Sequence, residues 1–141
     1  MLVRFKKLTE NAVTPVKAHP TDAGFDLTCT SVTEDREHNC VSYGTGLAFE
    51  IPEGHVGLLF PRSSIYKQDL LLSNAVGVVD SHYRGEVMAK FKISFPNQHR
   101  YAIGDRICQM VIMPIPAVEL VEADELSDTD RGAGGYGSSG K

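Results

Sequence analysis

Asp80 stands at the end of an apolar run, Asn74-Ala-Val-Gly-Val-Val-Asp-Ser-His-Tyr-Arg-Gly-Glu86, where the chain must turn. A carboxylate in that setting is a candidate general base for activating water. Val76, Val78 and Val79 suit a buried strand, whereas Asp80, Ser81, His82 and Gly85 have the composition of a turn. Beyond it Val87, Ala89, Phe91, Ile93 and Phe95 recur at period two, which predicts a return strand and a hairpin with Asp80 and Tyr83 at its tip. Taken alone, an aspartate in a turn is explained by local hydrogen bonds. The case for chemistry rests on four other segments.

Pro61-Arg62-Ser63-Ser64 puts an arginine and two hydroxyls at the start of a short helix predicted over Ser63–Leu70, where free N–H groups favour an anion. In His19-Pro-Thr-Asp-Ala-Gly-Phe-Asp-Leu27, Asp22 serves a turn and Asp26 enters a strand at an apolar position, where a carboxylate requires a partner. Gly104-Asp-Arg-Ile-Cys-Gln-Met110 sets Gln109 opposite Cys108 on a strand, with its amide available to a ligand. The segment Arg131-Gly-Ala-Gly-Gly-Tyr-Gly-Ser-Ser-Gly140 is too glycine-rich to support a packed element. It is expected to be a mobile arm. Its backbone amides, with Ser138 and Ser139, could donate to phosphate oxygens, and Tyr136 offers a ring for stacking.

The elements that would position these residues are short β-like runs separated by Gly, Pro, Asn and Asp. Strands are predicted over Val3–Leu8, Phe25–Thr30, Thr45–Ile51, Val56–Phe60, Asn74–Val79, Glu86–Phe95, Ile107–Met113 and Ala117–Val121. The expected class is all-β, a barrel or sandwich. A chain of 141 residues fits one domain, with a core over about residues 1–125 and an arm over about 126–141. No stretch approaches the roughly 18 apolar residues of a membrane span, so no membrane partner is expected. The charged start, Met-Leu-Val-Arg-Phe-Lys-Lys, lacks a secretory apolar segment, and an intracellular address follows as an expectation. The net charge of −4 argues against a basic face for nucleic acid. Cys29, Cys40 and Cys108 show no CxxC spacing and are expected to be reduced and structural, and the scattered histidines offer no paired metal ligands.

In order and spacing, the five segments together resemble the five motifs of the homotrimeric dUTP pyrophosphatases, or dUTPases, across Ala18 to Gly140. That resemblance implies a jelly-roll-like distorted β-barrel and hydrolysis of dUTP to dUMP and pyrophosphate in sites shared between subunits of a homotrimer. It makes Asp80 the base that activates the water attacking the α-phosphorus, with Asp26 supporting the site. Asn74, Gly77 and the backbone around Val78, Val79 and Met88 would read uracil and leave no room for a thymine methyl, and Tyr83 would lie against the deoxyribose and refuse a ribose. Arg62, Ser63, Ser64 and Gln109 would hold the phosphates. The arm would close over them through Arg131, Gly137, Ser138 and Ser139, with Tyr136 stacked on the base. The magnesium ion (Mg2+) would bind the triphosphate and reach the protein through water. Family members usually carry Phe where Tyr136 stands and often Gly where Ser64 stands. Two rivals are a nucleotide-binding regulatory module on the same fold and the related dCTP deaminases, which use a glutamate on the return strand where Lys90 falls here.

Overall fold

The computed structural model describes residues 1–95 and 99–135. Ten strands form among them: β1 Arg4–Lys7, β2 Phe25–Thr28, β3 Ser31–Asp35, β4 Cys40–Gly44, β5 Leu47–Glu50, β6 His55–Pro61, β7 Leu70–Leu72, β8 Gly77–Val79, β9 Met88–Ile93 and β10 Arg106–Pro114. They make two four-stranded sheets, ordered β2-β10-β6-β8 and β3-β4-β9-β7, and a small β1-β5 ribbon. Every ladder is antiparallel. The class is therefore all-β as expected, although the sheets do not close into a barrel.

One continuous core draws on all three sheets. Leu27 from β2, Tyr43 from β4, Leu47 from β5, Phe91 from β9 and Ile107 from β10 are all fully buried. The alternation read over positions 87–93 holds, since Val87, Ala89 and Phe91 are inward while Met88 and Lys90 are outward. Phe95, assigned to the same face, is exposed because β9 ends at Ile93. Tyr43, Phe91 and Tyr101 meet edge to face with centroids 5.7 to 5.9 Å apart. Each such pair adds about 0.5–1.5 kcal/mol beyond its burial.

The same burial has a pH consequence. Desolvation pushes the Cys108 thiol up to about 12 from an ordinary 9.0, and the Tyr43 phenol up to about 12 from 10.0. Both groups are neutral in the fold, so between about 9 and 12 the unfolded chain has lost protons that the folded chain still holds. Stability is full below the lower value and falls as pH rises through that window. A series of melting temperatures from pH 8 upward should decline past pH 9, and less steeply in Cys108→Ala.

Several expected elements differ. The helix over Ser63–Leu70 is a 3₁₀ turn, Ser63–Lys67, preceded by an extended Arg62 and with no side-chain cap from either serine. Leu70 is drawn instead into β7, where it pairs with Ile93 and is fully buried. The strand expected over Ala117–Val121 does not form. Val118, Leu120 and Val121 are 70%, 93% and 78% exposed and find no ladder in their own chain among the described residues. β3 and β4 were not anticipated: they are joined by a charged turn in which Asn39 adopts φ 52°. Cys29, Cys40 and Cys108 are free thiols and buried, as expected. No helix among the described residues is long and apolar enough to cross a membrane.

Candidate active site

The expected hairpin around Asp80 is in fact a crossing between sheets. β8 pairs with β6, with Val79 opposite Gly57, whereas β9 pairs with β4 and β7. Residues 80–87 thus carry the chain from the edge of one sheet to the middle of the other. The reason is local. Tyr83 N–H bonds back to the Asp80 carbonyl (3.1 Å) to close a turn, and Val87 N–H then bonds to Leu47 O (2.8 Å) rather than to β8.

This crossing frames a cleft of about 260 Å³ lined by Asn74, Gly77, Val78, Val79, Asp80, Tyr83 and Met88 among others. All seven are site residues anticipated from sequence. Val78 is 63% exposed on β8, which among the described residues pairs on one side only, with β6. Gly77 is tightly packed: a Cβ there would lie 3.0 Å from Leu59 Cβ, so Leu59 would have to give way. Asn74 sits in the tight turn before β8, with Ala75 at φ 58°. Asp80 is exposed at the cleft wall.

A second cleft of about 260 Å³ collects Ala18, Asp22, Gly24, Asp26, Arg62, Ser63 and Gln109. Asp26, half-buried on β2, meets its demand for a partner twice over. Arg62 Nε donates to its Oδ1 at 2.9 Å and Arg106 Nη1 to its Oδ2 at 2.9 Å. The two guanidinium groups neutralise the Asp26 carboxylate and keep N–H donors at the mouth, beside Ser63, where an anion can accept them. Arg62 Nη1 also reaches Ser64 Oγ at 3.5 Å. Gln109 donates from Nε2 to Pro61 O at 3.2 Å, while its Oε1 occupies the space that a side chain on Gly24 would take, 2.5 Å from that Cβ. Gly24 is therefore what lets the amide lie in the cleft. Arg106 was not anticipated as a site residue. The available signal was its place in Gly104-Asp-Arg, at the first residue of β10, the strand that pairs with β2 and so with Asp26.

The two clefts share no residue. Carried one residue past the Val79–Gly57 pair, the β8–β6 register sets Asp80 level with Val56, near the start of β6, and Arg62 follows its end, six positions on. At about 3.3 Å per strand residue that is roughly 20 Å. Arg131 lies outside both clefts, exposed, with Nε donating to Gly134 O at 2.8 Å. Tyr136, Gly137, Ser138 and Ser139 lie outside the described residues.

A family model described as dUTPase matches residues 10–140. The chain belongs to the dUTPase family. It is 41% identical over 141 residues to the deoxyuridine 5'-triphosphate nucleotidohydrolase of Rhodococcus erythropolis, covering 98% of this chain and 85% of that one. With the enzyme of the same name from Nautilia profundicola it is 39% identical over the whole of both chains. Among solved structures it is similar to a mutant dUTPase of Staphylococcus bacteriophage 80alpha with dUpNHpp, at a TM-score of 0.84, 30% identity and 99% coverage of each chain. A mutant dUTPase of phage phi11, solved for its coordination of a structural Mg(II) ion, is similar at a TM-score of 0.73 and 29% identity, covering 89% of this chain and 98% of that one. In this dUTPase-family chain the anticipated residues that fall in clefts form two groups, one around Asp80 and one around Asp26 and Arg62.

Proposed function

We infer that this chain hydrolyses dUTP to dUMP and pyrophosphate. The observation that carries the reading is that a dUTPase-family match across residues 10–140 coincides with Asp80 standing in a cleft walled by the open edge of β8. Uracil would meet main-chain donors and acceptors of β8 there, beside Asn74 and Met88. A strand edge admits a flat ring more readily than one bearing a methyl. Tyr83, 47% exposed, closes the sugar side, where an added hydroxyl would clash.

Phosphates belong in the other cleft, held by Arg62, Ser63, Ser64 and Gln109. Asp26 is then a positioning residue, since its carboxylate aims Arg62. Asp80 removes a proton from water as it attacks the α-phosphorus in line, and the bond to the pyrophosphate oxygen breaks. The roughly 20 Å that strand geometry sets between Asp80 and Arg62 supports a site completed by a second copy of the chain, and a closed ring of three gives each copy both roles. Residues 126–141 act as the arm, with Arg131 turned from Gly134 toward phosphate and Tyr136, Gly137, Ser138 and Ser139 closing over the nucleotide. Asp22 and Asp26 are already engaged, by His19 N–H at 2.8 Å and by the two arginines. That donor set fits a magnesium ion arriving on the triphosphate and held mainly through water. Magnesium so bound neutralises phosphate charge.

The reading is tested by pyrophosphate release from dUTP, dTTP, dCTP and UTP. Only dUTP should turn over efficiently. Release from dCTP without release from dUTP would sink it. A deaminase is disfavoured because Lys90 faces Asp35, at 3.7 Å, and takes no part in the cleft.

A further inference from the structure

Tyr83 does not hang freely from its turn. Its ring lies over Gly85, where a Cβ would come within 2.6 Å of Cζ, and its hydroxyl donates to the Glu86 carbonyl at 3.0 Å. That carbonyl belongs to the planar peptide unit whose N–H, on Val87, donates to Leu47 O at 2.8 Å. One rigid plate therefore carries the tyrosine on one edge and the body of the protein on the other.

The plate is bolted a second time by the Glu86 side chain. Its Oε1 accepts from Gly46 N–H at 2.8 Å. The receiving segment, Gly44-Thr45-Gly46, is shaped for it. A Cβ on Gly44 would lie 2.6 Å from Glu86 Oε1, and Gly46 adopts φ +64°, a conformation suited to glycine. Thr45, fully buried between them, donates from Oγ1 to Val87 O at 2.6 Å. Glu86 is half-buried, so its hydrogen bond to Gly46 is sheltered from water.

We propose that Glu86 is a positioning residue for sugar selection: its carboxylate, seated in the Gly44–Gly46 cradle, holds the peptide on which the Tyr83 hydroxyl rests. This rests on the reading of Tyr83 as the sugar gate. A gate that rejects one hydroxyl must be fixed to a fraction of an ångström, and a ring hinged only at its own Cα is not. Releasing Glu86 lets the plate rock, and the gate yields to ribose before deoxyribose turnover suffers.

The measurement is the ratio of kcat/KM for dUTP over UTP, which does not change with the fraction of folded protein. Glu86→Ala should lower it about tenfold, the scale of one charge-assisted hydrogen bond. Glu86→Gln, which keeps an acceptor at the same reach, should restore it to within about threefold of wild type. The dUTP to dTTP ratio, set by β8, should stay put in both. Should Glu86→Ala fail to fold, Glu86→Asp withdraws the carboxylate by one methylene and should show the same fall. Tyr83→Ala separates the two ideas. If it collapses the ratio while the Glu86 variants leave it alone, the positioning role is overturned and the gate stands. If Tyr83→Ala leaves the ratio unchanged, the gate reading falls and the Glu86 role falls with it.

Discussion

Asp80→Asn should lower kcat for dUTP by roughly 10²–10⁴-fold, the range spanned by general-base contributions. Asparagine matches aspartate in shape and can still orient a water, but it cannot take the proton. The side chain is exposed, and the structural hydrogen bond at this position is made by its carbonyl to Tyr83 N–H. Melting temperature and the affinity for a non-hydrolysable dUTP analogue should therefore change little. Retained turnover would place the base elsewhere. Lost turnover with lost analogue binding would instead make Asp80 a binding group.

The second large effect is a recovery. Arg62→Ala should be inactive too, because the phosphate cleft loses its chief cation, yet it should fold, since Arg106 still pairs with Asp26 at 2.9 Å. Co-expressing it with Asp80→Asn brings intact halves together wherever a sound base meets a sound phosphate cleft on different copies. For random mixing in a ring of three, about a quarter of the sites are whole. Activity near that level in the mixed preparation, from two parents with almost none, is the expected result. A mixture as inactive as its parents would mean that both halves act within one chain, contrary to the roughly 20 Å spacing of strand geometry.

The chemistry was more legible in the sequence than the architecture was. Asp26 at an apolar strand position announced a partner, and two arginines supply it. Gln109 stands on the face opposite the buried Cys108, because period two on a half-buried strand is unambiguous, and its amide donates to Pro61 O. The expected hairpin does not form, for a reason of the same kind. Two apolar runs flanking a turn look alike whether they pair with each other or part company. What separates β8 from β9 is the bond from Val87 N–H to Leu47 O, a long-range choice with no local mark. β3, rich in charge and exposed, has none of the apolar alternation that betrays a strand, and it exists because β4 offers it a ladder. The 3₁₀ turn at Ser63–Lys67 shows tertiary pairing of Leu70 overriding helical propensity. The role of Glu86 was also hidden, for its signal is a pair of glycines 40 and 42 positions away.

β8 has a further cost. A strand with one unpaired side is a template on which a stray strand of another molecule can dock and seed aggregation, and proteins usually blunt such edges with charge or cover them. This edge admits neither remedy if a base is to read it. Its protection is brevity: Gly77–Val79 is three residues long, entered through a tight turn at Ala75 and left at Asp80. A substitution that lengthens β8 by straightening either turn should raise the propensity of the protein to self-associate before it changes anything about catalysis.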